Sequence, residues 1–214
     1  ILVSSRNQIP DPEISEMITS YTARVNKWLA EIIGKINVSL DISCISDCTA
    51  GNFTADIVRE TGKCDIGLVD SSVFSKPVAS GDVTVKDVLD FLPLQNNIIA
   101  LKTTGSEIVR ILKTIENKEK SLIFCSNISY TAVMKNNIVT EVKNVLYENK
   151  PIEIDKYYSV ALPDSLIELP DTSIENYVSL IYRSPLKKEI MDFIRINTPV
   201  SYTAPEKRII IEQL

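Results

Sequence analysis

From Asp11 to about Glu119, runs with helical period alternate with short strand-like runs, and beyond Glu119 strand-like runs follow one another. That order restricts the chain to helices packed on a sheet, joined to a second, antiparallel layer. The clearest helix is "IPDPEISEMITSYTARVNKWLAEIIGK", where Asp11 suits the N-cap, Pro12 the first helical position and Gly34 the C-terminal cap. Within it Ile14, Met17, Ile18, Tyr21, Val25, Trp28, Leu29 and Ile32 recur at spacings of three and four, so one apolar face must meet the core or a domain interface. Ile36, Val38 and Leu40 alternate as a strand, and Thr49 to Gly62 reads as a helix. Asp65 to Val69 reads as a buried strand ending in a polar turn. Thr84 with Asp87 and Thr104 with Glu107 predict two further helix starts around the strand "NIIALKT".

"SLIFCSNISYTAVM", "IVTEVKNVLY" and "YYSVALP" then predict an antiparallel meander turning at "KNN" and "ENKP". Two closing helices, the second capped by Ser184 with Pro185 at its first position, and a final strand "RIIIEQL" complete the chain. The expected fold is α+β with mixed α/β layers: a long N-terminal helix, a mixed sheet and a meander. Residues 1–34 hold a leading strand and the long connecting helix, and 35–214 form one compact unit.

Several function classes drop out on composition. The net charge is −5 and the sequence pI about 5.0, with 23 scattered Lys and Arg, so no basic stripe is available to follow a nucleic acid. No apolar run reaches the roughly 20 residues that span a bilayer, which argues against membrane insertion. The chain contains no histidine, which removes the usual general base near neutral pH and the commonest transition-metal ligand. Ser71 and Ser72 imitate a nucleophile turn without the histidine or the Gly-x-Ser-x-Gly pattern such a turn needs, and hydroxyls that satisfy turn amides account for them. No metal or cofactor motif is present. The start at Ile1, without methionine or a signal peptide, predicts a piece of something longer.

The turn after Val69 poses the main question. Asp70, Ser71, Ser72 and Ser75 stand where a ligand-binding turn would carry glycines or a cation, and it has neither. The four cysteines, at 44, 48, 64 and 125, are open to three readings: free buried thiols, a metal site, or two disulfides. "CISDC" is not Cys-x-x-Cys, and a zinc site would need all four thiols at an unhelpful spacing. Asn37, Asn52 and Asn127 lie in Asn-x-Ser/Thr sequons; Asn37 and Asn127 are the candidate glycosylation sites, since Asn52 falls at a helix start.

Several segments, in order, carry a family resemblance: "ILVSS…IPDPEI", "IIGKINVSLD", "CTAGNFTADIV", "CDIGLVDSSVFSKPVASGDVTVKDVLDFLPL", "LKTTGSEIVRIL", "KYYSVALPDSL" and "TPVSYTAPEKRI". Together they resemble the C-terminal domain of the 5'-nucleotidase and apyrase family over nearly the whole chain. The resemblance implies that hydrolysis, on two metal ions, belongs to a separate upstream metallophosphatase domain. The domain represented here would sandwich the nucleoside base and help to grip ribose and phosphates.

Matched to that family, the ligand positions are largely replaced. The family's Asn-x-Gly-Gly-Ile-Arg turn falls on Asp70, with Ser72 and Val73 on the glycines, Phe74 on the isoleucine and Ser75 on the arginine. Leu94 in "LPLQ" and Ser165 take the places of the two stacking aromatics, "ELPDTS" retains only Asp171 of Asn-Gly-Gly-Asp-Gly-Phe, and an arginine of the cysteine loop falls on Ile45 or Ser46. Each lost stacking contact costs roughly 1–3 kcal/mol. The resemblance further implies a small Cys44–Cys48 disulfide loop, which leaves Cys64 and Cys125 for each other, and an oxidising extracellular setting. The expectation is a non-catalytic, secreted binding or interaction module, with an extracellular or host protein as partner and an upstream domain of the same chain in contact. A saliva protein of a blood-feeding arthropod is the setting the resemblance suggests. The alternative is the substrate-specificity domain of an active secreted or surface nucleotidase whose catalytic domain lies upstream of Ile1.

Overall fold

Asp11 opens the first helix as its position predicts: Oδ1 accepts from the backbone N–H groups of Glu13 at 2.9 Å and Ile14 at 3.2 Å. This helix, α1 (Pro12–Leu29), ends at Ala30, short of the predicted Gly34. Gly34 instead lies inside β1 (Ile32–Ile36), which pairs antiparallel with β3 (Gly81–Thr84). A β-carbon on Gly34 would come within 2.8 Å of Ile194, so close packing selects the glycine. Val38 is outside any strand, and Leu40 makes only a single bridge, to Val78. The computed structural model describes residues 11–118, 121–167, 177–203 and 207–214, with the backbone alone at 178–183.

No residue of α1 is buried. Tyr21 is 59% exposed and Trp28 49%, with Ile14, Met17, Ile18 and Val25 similar, so the apolar face is not core and nothing among the described residues covers it.

The centre is a five-stranded sheet in the order β10 (Val178–Pro185), β4 (Asn97–Thr104), β9 (Tyr157–Pro163), β2 (Ile66–Asp70), β5 (Ile123–Ser126). Only β2 and β9 run parallel; the other pairs are antiparallel. α2 (Thr49–Gly62) lies across β2, β5 and β9 at backbone contact. A β-carbon on Gly67 would lie 2.3 Å from the Ala55 carbonyl oxygen, and one on Gly51 2.1 Å from the Phe124 ring. α3 (Val85–Phe91) carries the predicted Thr84–Asp87 capping box, and α4 (Gly105–Lys113) is capped by Thr104.

Two predicted elements differ. "SLIFCSNISYTAVM" is not one strand: Asn127 takes φ 62° and sends β5 into the central sheet and β6 (Ile128–Lys135) into a second one. In that sheet β11 (Ile209–Gln213), β6, β7 (Ile138–Tyr147) and β8 (Lys150–Pro151) lie side by side, so the meander is β6–β7–β8 while "YYSVALP" belongs to the central sheet. Of the two expected closing helices, the first falls between Pro163 and Ser184, where the described residues form a 3-10 turn (Asp164–Leu166) and β10 and where 168–176 lie outside the described residues. The second, α5 (Leu186–Ile196), starts after Pro185, the residue that caps it, rather than after Ser184. Ser184 instead hydrogen-bonds through Oγ to Glu189.

All four cysteines are free thiols, so neither expected disulfide is formed. The register of β2 against β5 pairs Leu68 with Cys125, which puts Cys64 four residues along the chain from Cys125's partner. At about 3.3 Å per extended residue that exceeds the roughly 7 Å Cα separation a bridge tolerates. The Cys44–Cys48 loop is closed instead by Ser43, whose Oγ accepts from the amides of Ile45 at 3.3 Å and Ser46 at 3.1 Å.

Burial pushes the Cys64 thiol up to about 11 and raises Cys125 and the Tyr130 phenol as well. Each group is protonated more tightly folded than unfolded, so its contribution is whole below the unfolded pKa and is lost as pH rises above it. Denaturant titrations from pH 7 to 10.5 should therefore show stability falling from about pH 8.5 upward as the thiols titrate in the unfolded chain, with Tyr130 adding only above about pH 10, by up to about 1.4 kcal/mol per pH unit per group. A flat profile over that range would contradict the burial of these groups.

Candidate functional site

Sheet register gathers the sequence-predicted positions on one edge. Pro163 at the end of β9 lies opposite Ile98, Pro185 at the end of β10 opposite Asn97, and Asp70 at the end of β2 opposite Ile123. Asp70, Ser72 and Ser75 after β2, Leu94 before β4 and Ser165 after β9 therefore share that edge. Asp171 lies outside the described residues.

Hydrogen bonds tie these segments together. Asp70 Oδ1 accepts the Ser72 amide at 2.6 Å and closes a single 3-10 turn (Ser71–Val73), while Oδ2 accepts from Ser121 Oγ at 3.5 Å. Ser71 exchanges bonds with Leu122: its amide donates to the Leu122 carbonyl at 2.9 Å and its Oγ accepts the Leu122 amide at 3.1 Å. The Ser75 amide donates to the Phe91 carbonyl at 2.9 Å. Phe74, the turn's one aromatic, stacks on buried Phe91 with centroids 5.1 Å apart and meets Phe124 edge-on at 6.0 Å. Asn97 donates from its amide and Nδ2 to the two carboxylate oxygens of Asp164, at 3.0 and 2.8 Å, beside Ser165.

These bonds answer the question raised by the turn. Asp70 and Ser71 direct their polar groups inward to hold the chain, and Phe74 packs on the core instead of offering a ring face to a ligand. Leu94 is 51% exposed and aliphatic. Lys76, next to Ser75, is held by Asp90 at 2.9 Å. Among the described residues no three His, Cys, Asp or Glu are grouped to hold a metal ion. Ile45 and Ser46 are exposed in the cysteine loop.

Of the sequons, Asn52 is 3% exposed inside α2 and out of reach of a glycan. Asn37 and Asn127 are exposed, with their Nδ2 groups donating to Ser201 Oγ at 3.0 Å and to the Asp65 carbonyl at 2.9 Å. Sequence reading missed a buried charge network joining Asp56, Arg208, Tyr202 and Ser126, because its members are scattered over more than 150 positions.

Comparison with known proteins is consistent with this architecture. A 5'-nucleotidase from Vibrio parahaemolyticus is 25% identical over 142 residues, covering 66% of this chain and 25% of that protein. Protein UshA of Yersinia enterocolitica is 24% identical over 158 residues, covering 71% and 28%. Among solved structures, the 5'-nucleotidase precursor from Thermus thermophilus superposes with a TM-score of 0.76 at 17% identity, over 95% of this chain and 44% of that one. Haemophilus influenzae NAD nucleotidase gives 0.72 at 17% identity, over 95% and 42%. The chain thus spans about a quarter of the curated relatives' length and under half of the solved chains. No described helix is long and apolar enough to cross a membrane. The sequence model of "5'-nucleotidase, C-terminal domain" matches residues 32–168, and with that match over more than half of its length the chain belongs to the 5'-nucleotidase C-terminal domain family.

Proposed function

We propose that this chain is a non-catalytic, secreted binding or interaction module built on the 5'-nucleotidase C-terminal domain, with its nucleoside grip dismantled. The observation that carries the reading is the inward turn of Asp70: its carboxylate closes a turn on the Ser72 amide, on a segment without glycine or free cation. Leu94 and Ser165 offer no ring for a base, and an acidic domain of net charge −5 adds nothing to attract a phosphate. The uncovered apolar face of α1 supports a protein partner, an upstream domain of the same protein in the first instance and an extracellular protein in the second. Asn37 and Asn127 would carry glycans in that setting. The domain division in this reading is a connecting segment over 1–34 and the module over 35–214; the exposed α1 supports the connecting role, while β1, which crosses that boundary, pairs with β3 of the module. No residue bears on a salivary source.

The purified chain should release no phosphate from AMP or ADP, with or without added divalent metal. It has no histidine and no carboxylate cluster among the described residues to assemble the two-metal site that such hydrolysis uses. Metal-dependent release that survives purification to homogeneity would overturn the non-catalytic reading. The second reading, a specificity domain serving an active catalytic domain, is favoured by the uncovered apolar face of α1 together with membership of a family described as a C-terminal domain. Hydrolysis of AMP by a longer chain that includes an upstream domain would support it.

A further inference from the structure

A cleft of about 350 Å³ opens between the end of α1, α3 and α5, large enough for a small organic molecule. Its apolar wall is Trp28, Leu89 and Met191, and its polar end is Asn96 and Lys187 at the start of α5. Asp70, Ser72, Ser75, Leu94 and Ser165 do not line it.

Three features converge at the polar end. Asn96 is 8% exposed and donates nothing to the fold through its side chain: its backbone carbonyl accepts the Leu186 amide at 2.9 Å, while the carboxamide has no hydrogen-bond partner among the described residues. The carboxamide is not among the side-chain groups sealed from solvent without a partner, so it faces the cleft with its hydrogen-bonding capacity open to a ligand. Lys187 is half-buried, and its Nζ donates to the neutral Pro93 carbonyl at 3.0 Å, so among the described residues its charge meets no carboxylate. Third, α5 is capped by Pro185, which supplies no side-chain acceptor to the first turn. Glu189 lies in the same first turn but is held by Ser184 Oγ. That leaves a donor amide, an ammonium without a carboxylate and backbone donors without a side-chain cap to favour an anion in the cleft. The indole beside them favours a flat ring.

We propose that this cleft binds a small aromatic anion, its carboxylate or phosphate head held by Asn96, Lys187 and the first turn of α5, its ring laid against Trp28. Trp28 is the only tryptophan in the chain, so its fluorescence reports on the cleft directly. Phenylacetate and phenyl phosphate are the probes, and benzyl alcohol is the uncharged control. A saturable change in Trp28 emission with either anion, and none with the alcohol, is the expected result; which anion binds more tightly identifies the head group. Asn96→Leu should weaken binding by about 10-fold or more, as expected for a lost hydrogen bond to a charged group. Its thermal midpoint should stay level, because the carboxamide makes no hydrogen bond to the fold. Lys187→Gln, at a surface position, should weaken binding by a similar factor. The proposal is overturned if neither anion gives a saturable change, if benzyl alcohol matches them, or if both variants bind as the parent does.

Discussion

Asp56→Ala should cost about 3 kcal/mol or more, because it leaves a largely buried guanidinium without its counter-charge. Asp56 on α2 accepts from Ser126 Oγ at 2.6 Å, Tyr202 OH at 2.7 Å and Arg208 Nη2 at 2.8 Å. Arg208 also donates to the carbonyls of Cys125 at 2.7 Å and Asn52 at 3.3 Å, so one carboxylate joins α2, β5, the segment at Tyr202 and the start of β11. The Arg208 side chain is only 12% exposed. Burial opposes its charge, and the Asp56 carboxylate outweighs that opposition and raises its pKa; Tyr202 is raised too, by burial and by its bond to Asp56. For a chain of this size a loss of 3 kcal/mol corresponds to a fall of about 6–12 °C in Tm. Asp56→Ala combined with Arg208→Met should lose less than the single change, since no lone charge is then left buried. A single-variant cost below about 1 kcal/mol would mean that solvent reaches the pair.

The same network shows where sequence reading stops. Local chemistry was legible: Asp11 with Pro12, and Thr84 with Asp87, start helices where their residue types predict, and the apolar run before Asp70 is a fully buried strand. Each of those signals lies within four residues. The break at Asn127 was not legible, because alternation continues across it and only a left-handed asparagine redirects the chain. Gly34 read as a helix cap because its close approach to Ile194 is invisible until α5 has packed on β1.

The candidate site divides along the same line. The resemblance identified which positions to compare, and β-sheet register brings those described to one edge. What the substitutions do there, with Asp70 turned onto Ser72 and Phe74 packed on Phe91, follows from tertiary contacts. Asn96 carried no signal at all, since one asparagine in "LQNN" looks like the next until burial separates them.

Affinity for nucleosides is the quantity on which the account turns. On the proposed reading, Leu94 and Ser165 leave two stacking contacts unmade, which removes roughly 2–6 kcal/mol, equivalent to about 30-fold to more than 10⁴-fold in binding. Calorimetric titration of the purified chain with adenosine and with AMP tests this directly. No saturable heat is expected at concentrations up to the millimolar range; one-to-one binding in the micromolar range would make the domain a working nucleotide-specificity module and overturn the dismantled-grip reading.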